Sequence, residues 1–330
     1  FGVDITTLNG RLDATFDWYT RRTTDILMNG TKLPAVLGAT VPKRNTGELK
    51  TNGWELSLKW KDRLNNGIRY DVGFVLSDYQ SEVIHFSGNP NSLLSTLYDG
   101  MKMGEIWGYE TVGILQENDF TIDENGKYIL NGPSQNKIAG SWYPGDIRYA
   151  DLNNDDEIST GDNTLENPGD RKIIGNSTPR FQYGITGNIS WKNFDLNIFF
   201  QGIGKKDVWI SDNAFWGGSS SAGNWEMLNN SWTPERTNAK YPMYAGRGQN
   251  QQVQTGYLFN GAYLRLKTLA LGYTLPKAWT NKAKLSTVRL SLSGYNLFEI
   301  TQIPDTFDPD QISSAYPMMR SVAFGLQVGF

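Results

Sequence analysis

The strongest constraint in this chain is an alternation of apolar and polar residues with a period of two, repeated along its length. Trp54, Leu56, Leu58 and Trp60 alternate with Glu55, Ser57 and Lys59. Ile68, Tyr70, Val72, Phe74 and Leu76 alternate with Arg69, Asp71, Gly73 and Ser77. The same rhythm runs through Phe181–Trp191, Phe194–Phe200 and Val288–Leu292, and it is cleanest in Val322, Phe324, Leu326, Val328 and Phe330. Successive side chains of a strand point to opposite faces, so each segment is a strand with one apolar and one polar face. Near Leu269 the strand that begins around Leu264 loses phase, as a bulge would cause.

A soluble sandwich also alternates, so the chemistry of the two faces has to decide. The apolar faces of these segments carry no charged residue, while the polar faces carry many. A Lys or Arg facing lipid at the bilayer midplane costs about 2–4 kcal/mol, whereas a wet lumen tolerates charge. Trp18, Trp60, Trp191 and Phe330 fall near strand ends, where an interfacial aromatic girdle sits. Segments of about ten residues match a tilted crossing of a bilayer. Only 38% of the residues are hydrophobic, and no run approaches the ~18 consecutive apolar residues of a membrane helix. The expected fold is therefore all-β, a transmembrane antiparallel β-barrel.

Connection lengths support this and orient the chain. Short links at Leu8-Asn9-Gly10, Lys61 to Gly67, Lys192-Asn193 and Pro276 to Lys284 alternate with long ones near 27–51, 84–179, 202–256 and 299–319. Short periplasmic turns and long extracellular loops are the rhythm of outer-membrane barrels. On that parity the C-terminus is periplasmic, and the strand-like segment Ile106–Gln116 belongs to an extracellular loop. About nine crossing strands is an odd number, so the chain reads as the C-terminal part of one larger barrel domain. Its first residues, Phe1 to Thr6, already alternate, which suggests a chain entered partway along a strand with its signal peptide upstream.

Several short motifs, in order, resemble the C-terminal half of the SusC/RagA-type TonB-dependent outer-membrane transporters. They are Ile106-Trp107-Gly108-Tyr109 with Val112-Gly113-Ile114-Leu115-Gln116, and Pro144-Gly145-Asp146-Ile147-Arg148-Tyr149 leading into Asp151-Leu152-Asn153. Next come Ile174-Gly175-Asn176-Ser177-Thr178-Pro179-Arg180-Phe181 and Ser231-Trp232-Thr233-Pro234-Glu235. Tyr263-Leu264-Arg265-Leu266-Lys267 with Leu271-Gly272-Tyr273, Gly294-Tyr295-Asn296-Leu297-Phe298 and Tyr316-Pro317 complete the set. The resemblance implies a barrel of about 22 strands with an N-terminal plug that this chain lacks. It implies import of oligosaccharides or peptides driven through TonB, with a SusD-like surface lipoprotein as lid. The alternatives are a passive porin-like channel and a soluble secreted glycan-binding β-protein.

Three constellations are candidate sites. The first is Asp151 to Asp162, which resembles a twelve-residue calcium loop. Side-chain oxygens of Asp151, Asn153, Asp155, Ser159 and Asp162 fall at positions one, three, five, nine and twelve, with the Glu157 carbonyl at seven. Asp156 stands where the sharp turn at position six normally takes Gly, and Asp162 is shorter than the usual Glu. A structural Ca²⁺ is the expected occupant. The second is the loop carrying Trp209, Phe215, Trp216, Trp225, Trp232, Tyr241 and Tyr244, whose rings would contact ligand or lid, or pack the loop itself. The third is Phe330, an aromatic end of an apolar strand that resembles an outer-membrane assembly signal. On the polar face, Arg69, Arg180, Arg265, Lys267 and Arg289 are expected to line the lumen, steering ligand or holding the plug.

Catalysis has no foothold. There is no cysteine and one histidine, His85, so neither a Ser-His-Asp nor a Cys-His arrangement has independent support. Asp308 and Asp310 sit beside prolines and read as turn residues. A net charge of −3 without a basic run gives no support to nucleic-acid binding.

Overall fold

A computed structural model describes residues 1–29, 34, 36, 38, 42–217, 225–244, 246–312 and 318–330. Nine strands form one antiparallel sheet in sequential order. They are β1 (Gly2–Thr7), β2 (Leu12–Asn29), β3 (Lys43–Arg63), β4 (Arg69–Phe86), β5 (Arg180–Trp191), β6 (Phe194–Lys205), β7 (Tyr263–Thr274), β8 (Thr287–Thr301) and β9 (Ser321–Gly329). Every strand is hydrogen-bonded to its sequence neighbour in the wall, which is the meander expected of a barrel.

The register keeps the two faces apart across the sheet. One row runs Tyr70↔Ile189↔Leu196↔Leu271↔Leu292↔Phe324 from β4 to β9. Another runs Val3↔Phe16↔Leu56↔Leu76↔Tyr183 from β1 to β5. Much of this face stays open: Phe324 is 72% exposed and Leu292 50%. An apolar surface this broad is stable only against a solvent as apolar as itself, and hydrocarbon is such a solvent.

The opposite face is polar and internally bonded. A row runs Thr15↔Ser57↔Val75↔Gly184↔Gln201↔Arg265↔Glu299. Asn188 Nδ2 donates to Asp71 at 2.9 Å, and Asn197 Nδ2 donates to Asn188 Oδ1 at 2.6 Å, an amide ladder over three strands. Arg289 on β8 reaches across β7 to Asp195 on β6, with Nη2 2.7 Å from Oδ2. Gly272 lies beneath that ion pair, and a Cβ there would collide with both partners.

The phase loss near Leu269 is a bulge at Lys267, where the register shifts against both neighbouring strands. The expected loop boundaries need correction. Pairing of β2 with β3 continues out to Asn29 and Lys43, so residues 27–29 and 43–51 of the loop placed near 27–51 belong to the strands. The cause is that only the lipid-facing length of a strand must alternate; beyond it the ladder continues through polar residues that leave no pattern.

The long connections fold into a canopy over one end of the sheet. Four small two-stranded sheets pair Glu105–Tyr109 with Arg171–Asn176, Thr111–Ile114 with Ile147–Tyr149, Phe120–Ile122 with Tyr128–Leu130, and Asp207–Trp209 with Leu258–Asn260. The segment Ile106–Gln116 lies in this canopy and not in the wall. One hydrophobic core joins three loops: Tyr109, Leu115 and Ile147 from the first, Phe215, Trp216 and Tyr241 from the second, and Ile303 from the third. Tyr316 and Pro317 lie outside the described residues.

Candidate functional site

The loop Asp151–Asp162 is built around carboxylates that receive backbone N–H groups. Asp151 Oδ1 accepts from Asn154 N at 2.7 Å, and its Oδ2 accepts from Asp156 N at 2.9 Å. Asp155 Oδ1 accepts from Glu157 N, and Asn153 Nδ2 donates to Asp155 Oδ2 at 2.8 Å. Asp156, at position six, has φ +61°, the left-handed conformation that a glycine usually supplies there. Glu157 pairs with Lys137 at 3.7 Å, Ser159 Oγ accepts from Gly161 N, and Asp162 accepts from Asn167 Nδ2 at 2.9 Å. Asp162 thus faces Asn167. Among the described residues no group of three or more acidic or histidine side chains is arranged to hold a metal ion. Like charges repel, and each of these carboxylates takes N–H donors instead. The oxygens that accept these bonds are hard ligands of the type calcium takes.

Asp170, which sequence reasoning missed, locks this loop. It is fully buried, its Oδ1 accepts from Leu152 N at 2.8 Å and its Oδ2 from Ser159 N at 2.7 Å. Asp146 does the same for the canopy core: also fully buried, it accepts from Tyr143 N, Arg247 Nε at 2.8 Å and Asn250 Nδ2 at 2.9 Å. Asp146 belongs to the Pro144-Gly145-Asp146 motif, which was the available signal; Asp170 carried none.

The aromatic loop is mostly core. Phe215 is fully buried, and Trp216, Trp232 and Tyr241 are at most 5% exposed. Phe215 meets Trp216, Tyr241, Phe259 and Phe307 edge-on, with centroids 5.1–6.4 Å apart. Trp216 Nε1 donates to Ile210 O, and Trp232 Nε1 donates to Gln116 Oε1. Trp209 and Tyr244 pack against the same core. Six of the seven rings therefore pack within the canopy, with Trp209 and Tyr244 half-buried at its edge. Trp225, 76% exposed, is the exception. The physical reason is that loops of this length need their own apolar core to stay ordered.

Burial also shifts the canopy phenols. Tyr98 is pushed up to about 12 by burial and by the Glu105 carboxylate. Tyr109, Tyr149 and Tyr257 are raised chiefly by burial.

The polar-face cations divide. Arg180 pairs with Asp78, and Arg289 with Asp195. Arg265 departs from the expectation of a lining group, because the third loop folds over it and leaves it fully buried. Its Nη2 lies 2.7 Å from Asp308, its Nη1 3.1 Å from Asp310 and its Nε 3.4 Å from Glu299, and Tyr263 donates to Asp310. Asp308 and Asp310 are thus counter-ions as well as turn residues. Arg69 is exposed and Lys267 half-buried at the bulge. Phe330 is 95% exposed.

No protein-family model matches the chain. It is 30% identical over its whole length to the TonB-dependent receptor P3 of Formosa agariphila, and 23% identical to the TonB-dependent receptor SusC of Bacteroides thetaiotaomicron. It spans 33% and 31% of those two proteins, about a third of their length. Among solved structures, the RagAB peptide transporter superposes on the whole chain with a TM-score of 0.69 at 24% identity, over 34% of its own chain. The RagAB peptide importer in its "open-open" state gives 0.70 at 23%, also over 34%.

Proposed function

Because the chain belongs to the SusC-type TonB-dependent receptors, as part of the wall of an outer-membrane barrel, we propose that it serves active import of oligosaccharide or peptide nutrients. The observation that carries this is the pairing of two surfaces. An open, uncharged apolar face suits lipid, and the polar face behind it lies under a folded canopy. The short turns then lie in the periplasm and the canopy outside the cell. A barrel roofed in this way is built to admit selected molecules, and the energy for import would come through TonB acting on a plug elsewhere in the protein.

The canopy is the surface on which a SusD-like lipoprotein would close, with Trp225 as an exposed anchor. The RagAB structures are of a peptide importer, which favours peptide among the substrate classes. Asp151, Asn153, Asp155, Glu157, Ser159 and Asp162 would hold a structural Ca²⁺ that stiffens the first loop. If so, chelation speeds proteolytic cutting between 144 and 179, and unchanged cutting argues against the metal. Phe330 would be read by the outer-membrane assembly machinery.

The test of the transport reading is labelled-ligand uptake by cells carrying the full-length protein, before and after collapse of the proton-motive force. Uptake that stops on collapse supports it. Uptake that continues unchanged points to a passive channel.

A further inference from the structure

Under the canopy, on the polar face, the wall forms a recess of about 450 Å³ between β4, β5 and β6. Its polar lining includes Ser77, Gln182, Gln201 and Lys206, with Val75 and Phe199 as apolar walls. Gly184 lies between them. A Cβ at that position would come within 3.1 Å of Val75 and 3.3 Å of Phe199, so a larger residue would narrow the recess.

Arg180, Arg265 and Arg289 are each neutralised by carboxylates of the chain itself. The half-buried Lys206 has no carboxylate partner among the described residues. The acid that borders the recess, Asp310, is already held by Arg265 and Tyr263. No hydrogen bond among the described residues engages the side chains of Ser77, Gln182 or Gln201. These side chains border the recess, so their hydrogen-bonding capacity is free for a ligand.

We infer that this recess is a subsite for a carboxylate carried by the imported ligand, an inference that rests on the transport reading above. Lys206 supplies one compact positive charge. Gln182 and Gln201 each supply two donors and an acceptor for the amide or hydroxyl groups beside the carboxylate. A single cation flanked by planar amides suits a planar monoanion, whereas phosphate recognition typically draws a bidentate Arg or several cations. The carboxylate has two natural sources, an acidic peptide or a uronate-containing oligosaccharide.

Calorimetry on the full-length protein in detergent tests this with triglutamate against triglutamine, and trigalacturonate against its methyl ester. One acid should bind at least about tenfold tighter than its neutral partner, a gap of one decade in affinity, and the acid that does so identifies the source. Lys206→Met should erase the preference while leaving binding of the neutral partner and the heat-shifted gel mobility of the barrel unchanged. Gln201→Leu should weaken acid and neutral partner together. Equal binding of acid and neutral forms, no binding of either acid, or a preference that survives Lys206→Met would overturn the inference. Uptake driven by the proton-motive force, measured in parallel on wild type, tests the transport reading separately, since calorimetry decides the recess whether or not uptake occurs.

Discussion

Replacing Phe215 with Ala tests whether three long loops form one cooperative body. Phe215 is fully buried and touches four aromatic rings, one of them, Phe307, from a different loop. A Phe→Ala change in a core costs about 3–5 kcal/mol. The upper part of that range is expected here, because each edge-on ring pair adds about 0.5–1.5 kcal/mol beyond burial and small sheets fix the surrounding backbone, which limits collapse into the cavity. At 1.4 kcal/mol per factor of ten, opening of the canopy should become roughly three to three and a half orders of magnitude more frequent. Hydrogen exchange measures this directly. The amide of Leu115, bonded to Asp146 O at 2.7 Å in the first loop, should lose protection together with Tyr241 in the second. Amides of the wall, such as Ile198 opposite Leu269, should not change. If Leu115 keeps its protection while only the neighbours of Phe215 lose theirs, the loops fold separately and the single-core reasoning is wrong.

Arg265→Met should be among the most destabilising single changes. It removes the cation that Asp308, Asp310 and Glu299 share, leaving Asp308 and Asp310 without it while Glu299 keeps Arg320, at a cost of about 3–5 kcal/mol; faster exchange across 302–312 checks it, and unchanged exchange contradicts it. The raised canopy phenols predict an alkaline limit. A phenol whose pKa rises on folding stabilises the fold fully below its ordinary value of 10.0 and loses that contribution as pH climbs toward about 12. Tyrosinate absorbance should therefore lag an exposed tyrosine's curve and then rise together with loss of canopy protection, whereas a simple titration near 10 would show the phenols to be accessible.

The wall was legible in the sequence because lipid imposes a strict rule on it. Every second residue of β9, from Val322 to Val328, must be apolar, and that leaves a pattern. Where the rule lapses, so does the pattern. The outer ends of β2 and β3 still pair, through two register shifts, but residues 27–29 and 43–51 read as loop because they obey no periodicity. The canopy was hidden for a related reason. Its core is assembled from irregular segments, and nothing local distinguishes Trp216, at 4% exposure, from Trp225, at 76%. The polar hubs depend on long-range partners: Asp310 meets Arg265 from 45 residues away, and Asp146 meets Asn250 from 104. The calcium-like loop shows the limit of spacing as a guide. The left-handed turn at Asp156 was implied by position, while the bond of Asp162 to Asn167 was not.

The central claim is that one face of this sheet meets hydrocarbon and the other does not. The chain contains no cysteine; with any cysteine elsewhere in the full-length protein replaced by serine, single cysteines can be placed at each position from Val322 to Val328 in bilayers and spin-labelled. Collision rates with oxygen, which concentrates in lipid, and with a water-soluble nickel complex then report what each site touches. The account predicts oxygen maxima at positions 322, 324, 326 and 328, with nickel accessibility highest at 323, 325 and 327. A flat profile, or one with the two reagents exchanged, would contradict it.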